Sequence, residues 1–88
     1  MNNKNVAKVF KTLGNERRFL ITKHLFNNKE LTVGQISELI NLSFRSTSKH
    51  LTVLTSMDFV ETRQVSLNRF YSINRISFPK QFIKFFTN

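Results

Sequence analysis

The feature that most constrains this chain is a pair of short amphipathic patterns followed at once by a change of period, all within residues 31–73. Thr32 stands three residues before Gln35, the spacing of a capping box, and opens a helical pattern carrying Ile36, Leu39 and Ile40. Asn41 and Leu42 form a turn, and Ser43 can cap a second helix. On that helix Thr47, Leu51 and Leu54 fall on one side with Val53 flanking, while Arg45, Ser46 and Lys49 fall on another. After Asp58 the spacing changes: residues 59–65 and 69–73 are rich in β-branched and aromatic side chains that alternate in character, with Ser66, Leu67 and Asn68 between them as a hairpin loop. Two helices across a tight turn, then a hairpin, make a helix-turn-helix with a wing.

The flanks add helices. Val6, Val9, Phe10 and Leu13 repeat at i, i+3, i+4 and i+7, which predicts a first helix. Gly14 ends it and Asn15 caps the next, which carries Leu20, Ile21, His24 and Leu25 on one face before a polar loop over residues 27–30. Pro79 suits the first turn of a final helix, where its missing N–H costs nothing, and that helix carries Phe78, Phe82, Ile83, Phe85 and Phe86. The expected fold is mainly α with a small β-hairpin (α+β), a winged helix-turn-helix in the order α-α-α-α-β-β-α. It forms one domain over residues 1–88, without linker, repeat or low-complexity tract.

A chain of 88 residues is near the lower limit for a self-sufficient core. Its 40% hydrophobic content, with ten Phe, is globular and rich enough to leave apolar surface for a second subunit. Val6, Val9, Phe10 and Leu13 at one end, and Phe78, Phe82, Phe85 and Phe86 at the other, are expected to form a dimer interface; closing the domain's own core is their alternative use. Lys and Arg number 14 against 5 Asp and Glu, and the net charge of +9 implies affinity for a polyanion. The absence of Cys excludes disulfides, Cys-ligated zinc and thiol redox sensing. The opening MNNKNVAKVFK lacks the apolar segment of a signal peptide, and no run approaches the roughly 18 apolar residues of a membrane span. The expected location is the cytoplasm.

B-form DNA admits one α-helix into its major groove, where base edges present a distinguishable pattern. Arg45 can make a bidentate contact to guanine O6 and N7, and Lys49 can reach guanine or a phosphate. Ser46 and Ser48, beside the capping Ser43, are small enough for close approach and can donate to phosphate or base. Phe44 has two readings: contact with a thymine methyl, or a staple folded back onto the preceding helix. His50 and Thr52 are expected on the flanks, against the DNA backbone. In the wing, Arg63 and Arg69 stand on opposite strands near the loop with Gln64 and Asn68 between them, and these four are expected at phosphate or in the minor groove. A solvated charged edge that discourages strand pairing would use the same residues.

The stretch LSFRSTSKHLTVL, then SMDFVETRQV and RFYSI, resembles the ArsR (ArsR/SmtB) winged-helix repressors, whose usual run is LSxxxVSxHLxxLxxAGLV, then basic residues, then a YxL strand. FKTLGNERRFLITKHL resembles their LxxLxDxxRxxILxxL helix, and LTVGQISELI their ELxVxELAxxL helix. The resemblance spans residues 6–73. It implies a homodimeric transcriptional regulator, a repressor by family habit, that binds a short inverted repeat of double-stranded DNA, with the terminal helices at the interface. Metal-sensing members carry ELCVC on the helix before recognition; here the run is ELTVG, with Thr32 and Gly34 where thiolates would sit. Nor does the Phe-rich final segment carry the Asp and His ligands of other members, so neither metal nor cofactor is expected. Asp58 replaces the usual Gly before the first strand, and Thr47 the usual Val.

Another class of function remains compatible with these residues. Winged-helix domains also dock proteins, and Phe44 is an apolar group at the head of a polar helix. Catalysis has less support: there is no carboxylate pair, nucleophile–base set or Gly-rich phosphate loop.

Overall fold

The computed structural model describes residues 2–87. Helices α1 (Asn3–Leu13) and α2 (Glu16–Asn27) lead into a two-residue strand β1 (Leu31–Thr32), then α3 (Val33–Ile40) and α4 (Phe44–Ser56). Strands β2 (Val60–Val65) and β3 (Asn68–Ile73) follow, and a 3₁₀ helix (Lys80–Phe85) closes the chain.

The polar residues at the helix starts act as caps. Asn15 accepts from the Arg18 N–H at 3.1 Å and Ser43 from the Ser46 N–H at 3.1 Å. Thr32 and Gln35 form both halves of the capping box, at 3.2 and 2.9 Å. The helix ends are equally local. Asn41 (φ 52°) and Asp58 (φ 61°) take the left-handed conformation, which Asn and Asp tolerate better than other side chains with a Cβ. The following amides then turn back, Leu42 N–H to the Ser37 carbonyl at 3.0 Å and Phe59 N–H to that of Leu54 at 3.1 Å. Asp58 thus fills a position that usually selects Gly. Gly14 is required for space instead: a Cβ there would stand 2.7 Å from the Phe10 carbonyl oxygen.

The core lies between α2, α3 and α4 and one face of the sheet. Ile21, Leu25, Ile36, Leu51, Leu54, Val60, Tyr71 and Ile73 are buried in it. Thr47 is fully buried, and its hydroxyl donates to the Ser43 carbonyl at 2.8 Å, so the oxygen that distinguishes it from Val is satisfied within the helix. A second group of rings seals the lower side: Phe78 lies 5.0 Å from Phe26, 5.4 Å from Phe59 and 5.8 Å from Phe86.

Three details differ from expectation. The sheet has three strands in the order β1-β3-β2, because Leu31 and Thr32 pair with Tyr71 and Phe70 before α3 begins. The hairpin loop has two residues, Ser66 and Leu67, since Val65 pairs with Asn68. The last element is 3₁₀ rather than α: Pro79 is extended (ψ 115°) and caps a segment of only six residues. Among the described residues no helix is long and apolar enough to cross a membrane.

Candidate nucleic-acid interface

On α4 the buried Thr47, Leu51 and Leu54 hold one face against the core, which turns Arg45, Lys49 and Thr52 outward at i, i+4 and i+7. Ser46, Ser48 and His50 are half-buried on the two flanks. Among the described residues no ion pair engages Arg45 or Lys49. Two cations thus project from a rigid helix, flanked by short hydroxyl side chains. Ser43 is committed to its cap and the Thr52 hydroxyl donates to the Ser48 carbonyl at 3.0 Å, so the Ser43 hydroxyl still has its donor while the Thr52 oxygen is left as an acceptor.

His50 is turned toward α2 rather than outward. Its Nδ1 lies 3.4 Å from an Arg18 guanidinium nitrogen, which can only donate, so this nitrogen is the acceptor. Burial, with the nearby charges of Arg18 and Arg17, holds its pKa below the ordinary histidine value. Arg18 also donates from Nε to the Thr12 carbonyl at 2.8 Å, and Arg17 to the Ile40 carbonyl at 3.2 Å. The exposed Arg17 therefore sets its charge beside the turn that precedes α4, a contribution the sequence reading missed. A signal was available: two arginines in the first turn of a helix oppose its dipole, and such placement asks for a reason beyond the helix itself.

Strand register sorts the wing residues. Cross-strand partners share a face, so Gln64 and Arg69 lie on the side of Val60, Tyr71 and Ile73, the side of the core and α4. Arg63, paired with Phe70, lies on the opposite face. There it bonds Glu30 at 2.6 and 3.3 Å and covers the Phe70 ring at 5.3 Å. The hydrogen bond from Arg63, followed by its charge, holds the Glu30 carboxyl below its ordinary pKa. The expectation that Arg63 and Arg69 act together at DNA therefore does not match their placement: Arg63 fastens the wing to the segment before β1. Arg69 instead donates to the Gln64 side chain at 3.1 Å, which in turn donates to the Ser66 carbonyl at 3.0 Å.

Phe44 is 63% exposed, so it is no staple onto α3. It lines a cleft of about 360 Å³ between the start of α3 (Thr32, Val33, Gly34) and the wing tip (Leu67, Asn68, Arg69). The helix head and the wing thus border one concave surface.

The apolar terminal residues divide. Val9, Leu13, Phe78 and Phe86 are buried in the protomer's own core, the two Phe rings lying just before and just after the 3₁₀ helix. Phe10 and Phe85 stay 59% and 56% exposed, with Val6 and Phe82 half-buried. Phe10 meets Phe82 edge to face at 4.9 Å, and these rings border an apolar cleft of about 210 Å³. Among the described residues no three of His, Asp and Glu are grouped to hold a metal ion.

A tri-helical core with a helix-turn-helix and an antiparallel wing is the architecture of the winged-helix DNA-binding transcription regulators. Residues 15–62 match the family model described as bacterial regulatory protein, arsR family, and the chain belongs to that family. It is 38% identical over 74 residues to the transcriptional activator HlyU of Vibrio cholerae, covering 81% of this chain and 68% of that protein. It is 30% identical over 73 residues to the HTH-type transcriptional regulator YceK of Bacillus subtilis, covering 82% and 73%. The structure of reduced HlyU from Vibrio cholerae superposes with a TM-score of 0.74 over 97% of this chain and 95% of that one, at 30% identity. The homodimeric winged helix-turn-helix DNA-binding domain of Mb0332 from Mycobacterium bovis gives 0.76 over 94% and 72%, at 28% identity.

Proposed function

We propose that this regulator acts as a homodimer that binds an inverted repeat in double-stranded DNA, with α4 in the major groove and the wing tip on the backbone or minor groove. The observation that carries the reading is the outer face of α4, where Arg45 and Lys49 stand exposed opposite the fully buried Thr47, Leu51 and Leu54. Arg45 and Thr52 face the bases, Lys49 a base or a phosphate, Ser43, Ser46, Ser48 and Arg17 the flanking phosphates, and Arg69 and Gln64 the backbone beside the wing, with Asn68 at its tip on the Arg63 face. His50 acts from behind by fixing Arg18. The surface left by Val6, Phe10, Phe82 and Phe85 takes the second protomer, as the homodimeric state of the Mb0332 domain supports.

Selection from a random duplex library tests this. The expected product is a two-fold repeat with half-sites about one helical turn, roughly 10 base pairs, apart. Absence of any enriched sequence at low salt would overturn it in favour of a protein-docking module. Arg45→Ala is expected to cost about 1–3 kcal/mol of discrimination per half-site, read by competition between the selected duplex and single-base variants. Intact preference in that variant would remove α4 as the reader. The two wing arginines separate cleanly: Arg69→Ala lowers affinity for all duplexes and reduces the salt slope by about one per protomer, whereas Arg63→Ala leaves that slope unchanged.

Repression needs only that a promoter be covered, so it is the simplest outcome of binding. The related HlyU is an activator, and transcription in vitro from a promoter carrying the selected site decides the sign. The relatives named are regulators rather than enzymes, in keeping with a binding role.

A further inference from the structure

The wing ends in a side chain that the fold does not use. Leu67 is 95% exposed, the most exposed large hydrophobic among the described residues, and sits in the two-residue loop between Val65 and Asn68. A lone exposed leucine on a flat surface is ordinary. This one occupies a tight hairpin turn, where Gly, Asn and Asp are the favoured residues and an apolar side chain gains nothing from the chain itself. The preceding Ser66 takes the left-handed conformation (φ 56°) to present it. The tip is also braced: Arg69 bonds the Gln64 side chain, and Gln64 bonds the Ser66 carbonyl, so polar contacts fix the loop that carries the apolar group. Leu67 shares its cleft with Phe44 at the head of α4, which keeps it on the side of the proposed DNA-facing surface.

We propose that Leu67 is a minor-groove wedge: it enters between two base pairs beside the half-site, partly unstacks them and bends the duplex. Apolar side chains on basic elements do this in architectural DNA-binding proteins, where the bend brings more backbone against the protein. Pyrimidine–purine steps unstack most easily, so the wedge also gives sequence preference at a position where no hydrogen bond is made. Asn68 and Arg69 follow Leu67 directly and supply donors and charge for the groove walls. This inference rests on the DNA-binding reading above.

The test uses the full chain and the duplex selected by it, labelled at both ends for energy transfer. Wild type is expected to shorten the end-to-end distance by a bend on the order of 20–90°. Leu67→Ala is expected to lose at least half of that bend, and in a repeated selection to lose enrichment of a TA or CA step at the wing position while keeping the core half-site. Leu67→Phe, a longer wedge, should retain the bend, and Lys49→Ala, on α4 and outside the wing, should weaken binding but leave the bend of the bound fraction intact. Both Leu67 variants should melt as wild type does, because the side chain packs on nothing. A wild-type complex with straight DNA, or an equal bend with Leu67→Ala, would overturn the wedge and leave the DNA-binding reading standing. Failure of the wild type to bind any duplex would remove both.

Discussion

Raising the salt from about 50 to about 200 mM is expected to weaken duplex binding by about 10³- to 10⁵-fold, the loss typical of 6–10 phosphate contacts. The charge distribution supports a number in that range. Fourteen basic against five acidic residues leave the chain at +9, and one carboxylate, Glu30, is already paired with Arg63 on the far face of the wing. Arg45 or Lys49, Arg69 and the exposed Arg17 give each protomer three cations at the proposed surface, and two protomers then meet about six phosphates. Each neutralised phosphate releases condensed counterions, so log affinity falls linearly with log salt at a slope of about −5 to −9. A protein-docking surface has no such counterion atmosphere to release, and salt would act only through screening. Anisotropy titrations at four salt concentrations measure the slope. A value shallower than about −2 would mean that the basic charge is incidental to binding.

The parts of the site that could be read in the sequence are those set by neighbours a few residues away. Thr32 with Gln35, Asn15 with Arg18 and Ser43 with Ser46 are contacts at three-residue spacing, and the buried Thr47, Leu51 and Leu54 follow from helical periodicity. The wing was less legible because its faces depend on one residue of register. A three-residue loop would pair Val65 with Arg69 and put Arg63 and Arg69 on the same face. The two-residue loop pairs Val65 with Asn68, and the two arginines part. The partner that holds Arg63, Glu30, is 33 residues away in sequence, so no local pattern announces it. His50 illustrates the same limit: its place on α4 could be counted, but its contact with Arg18 depends on how α2 packs against α4. At the C-terminal end the abundance of Phe was plain while its direction was not, since a 3₁₀ turn and an α turn send residues 82–86 to different sides.

That last ambiguity leads to the largest expected change in stability. Phe78→Ala is expected to destabilise the fold by about 3–5 kcal/mol, the range for truncating a buried aromatic side chain. Phe78 is 2% exposed and touches the rings of Phe26, Phe59 and Phe86, which belong to α2, the start of the wing and the C-terminal turn. Removing it opens a cavity shared by three elements, none of which can collapse without moving another. Total stability for a domain is about 5–15 kcal/mol, so a large fraction is at stake. For a domain of this size the melting temperature should fall by about 12 °C or more. Phe85, seven residues later and 56% exposed, provides the contrast. Phe85→Ala leaves the protomer's core intact and takes surface from the proposed subunit contact. Its effect on melting should therefore grow with protein concentration, as stabilisation by association does, and vanish where the wild type is monomeric. The Phe78→Ala deficit should persist at every concentration. If instead the Phe85 variant melted lower under dilute conditions, the ring that seals the core would be Phe85, and the surface assigned to the second protomer would have to be drawn elsewhere.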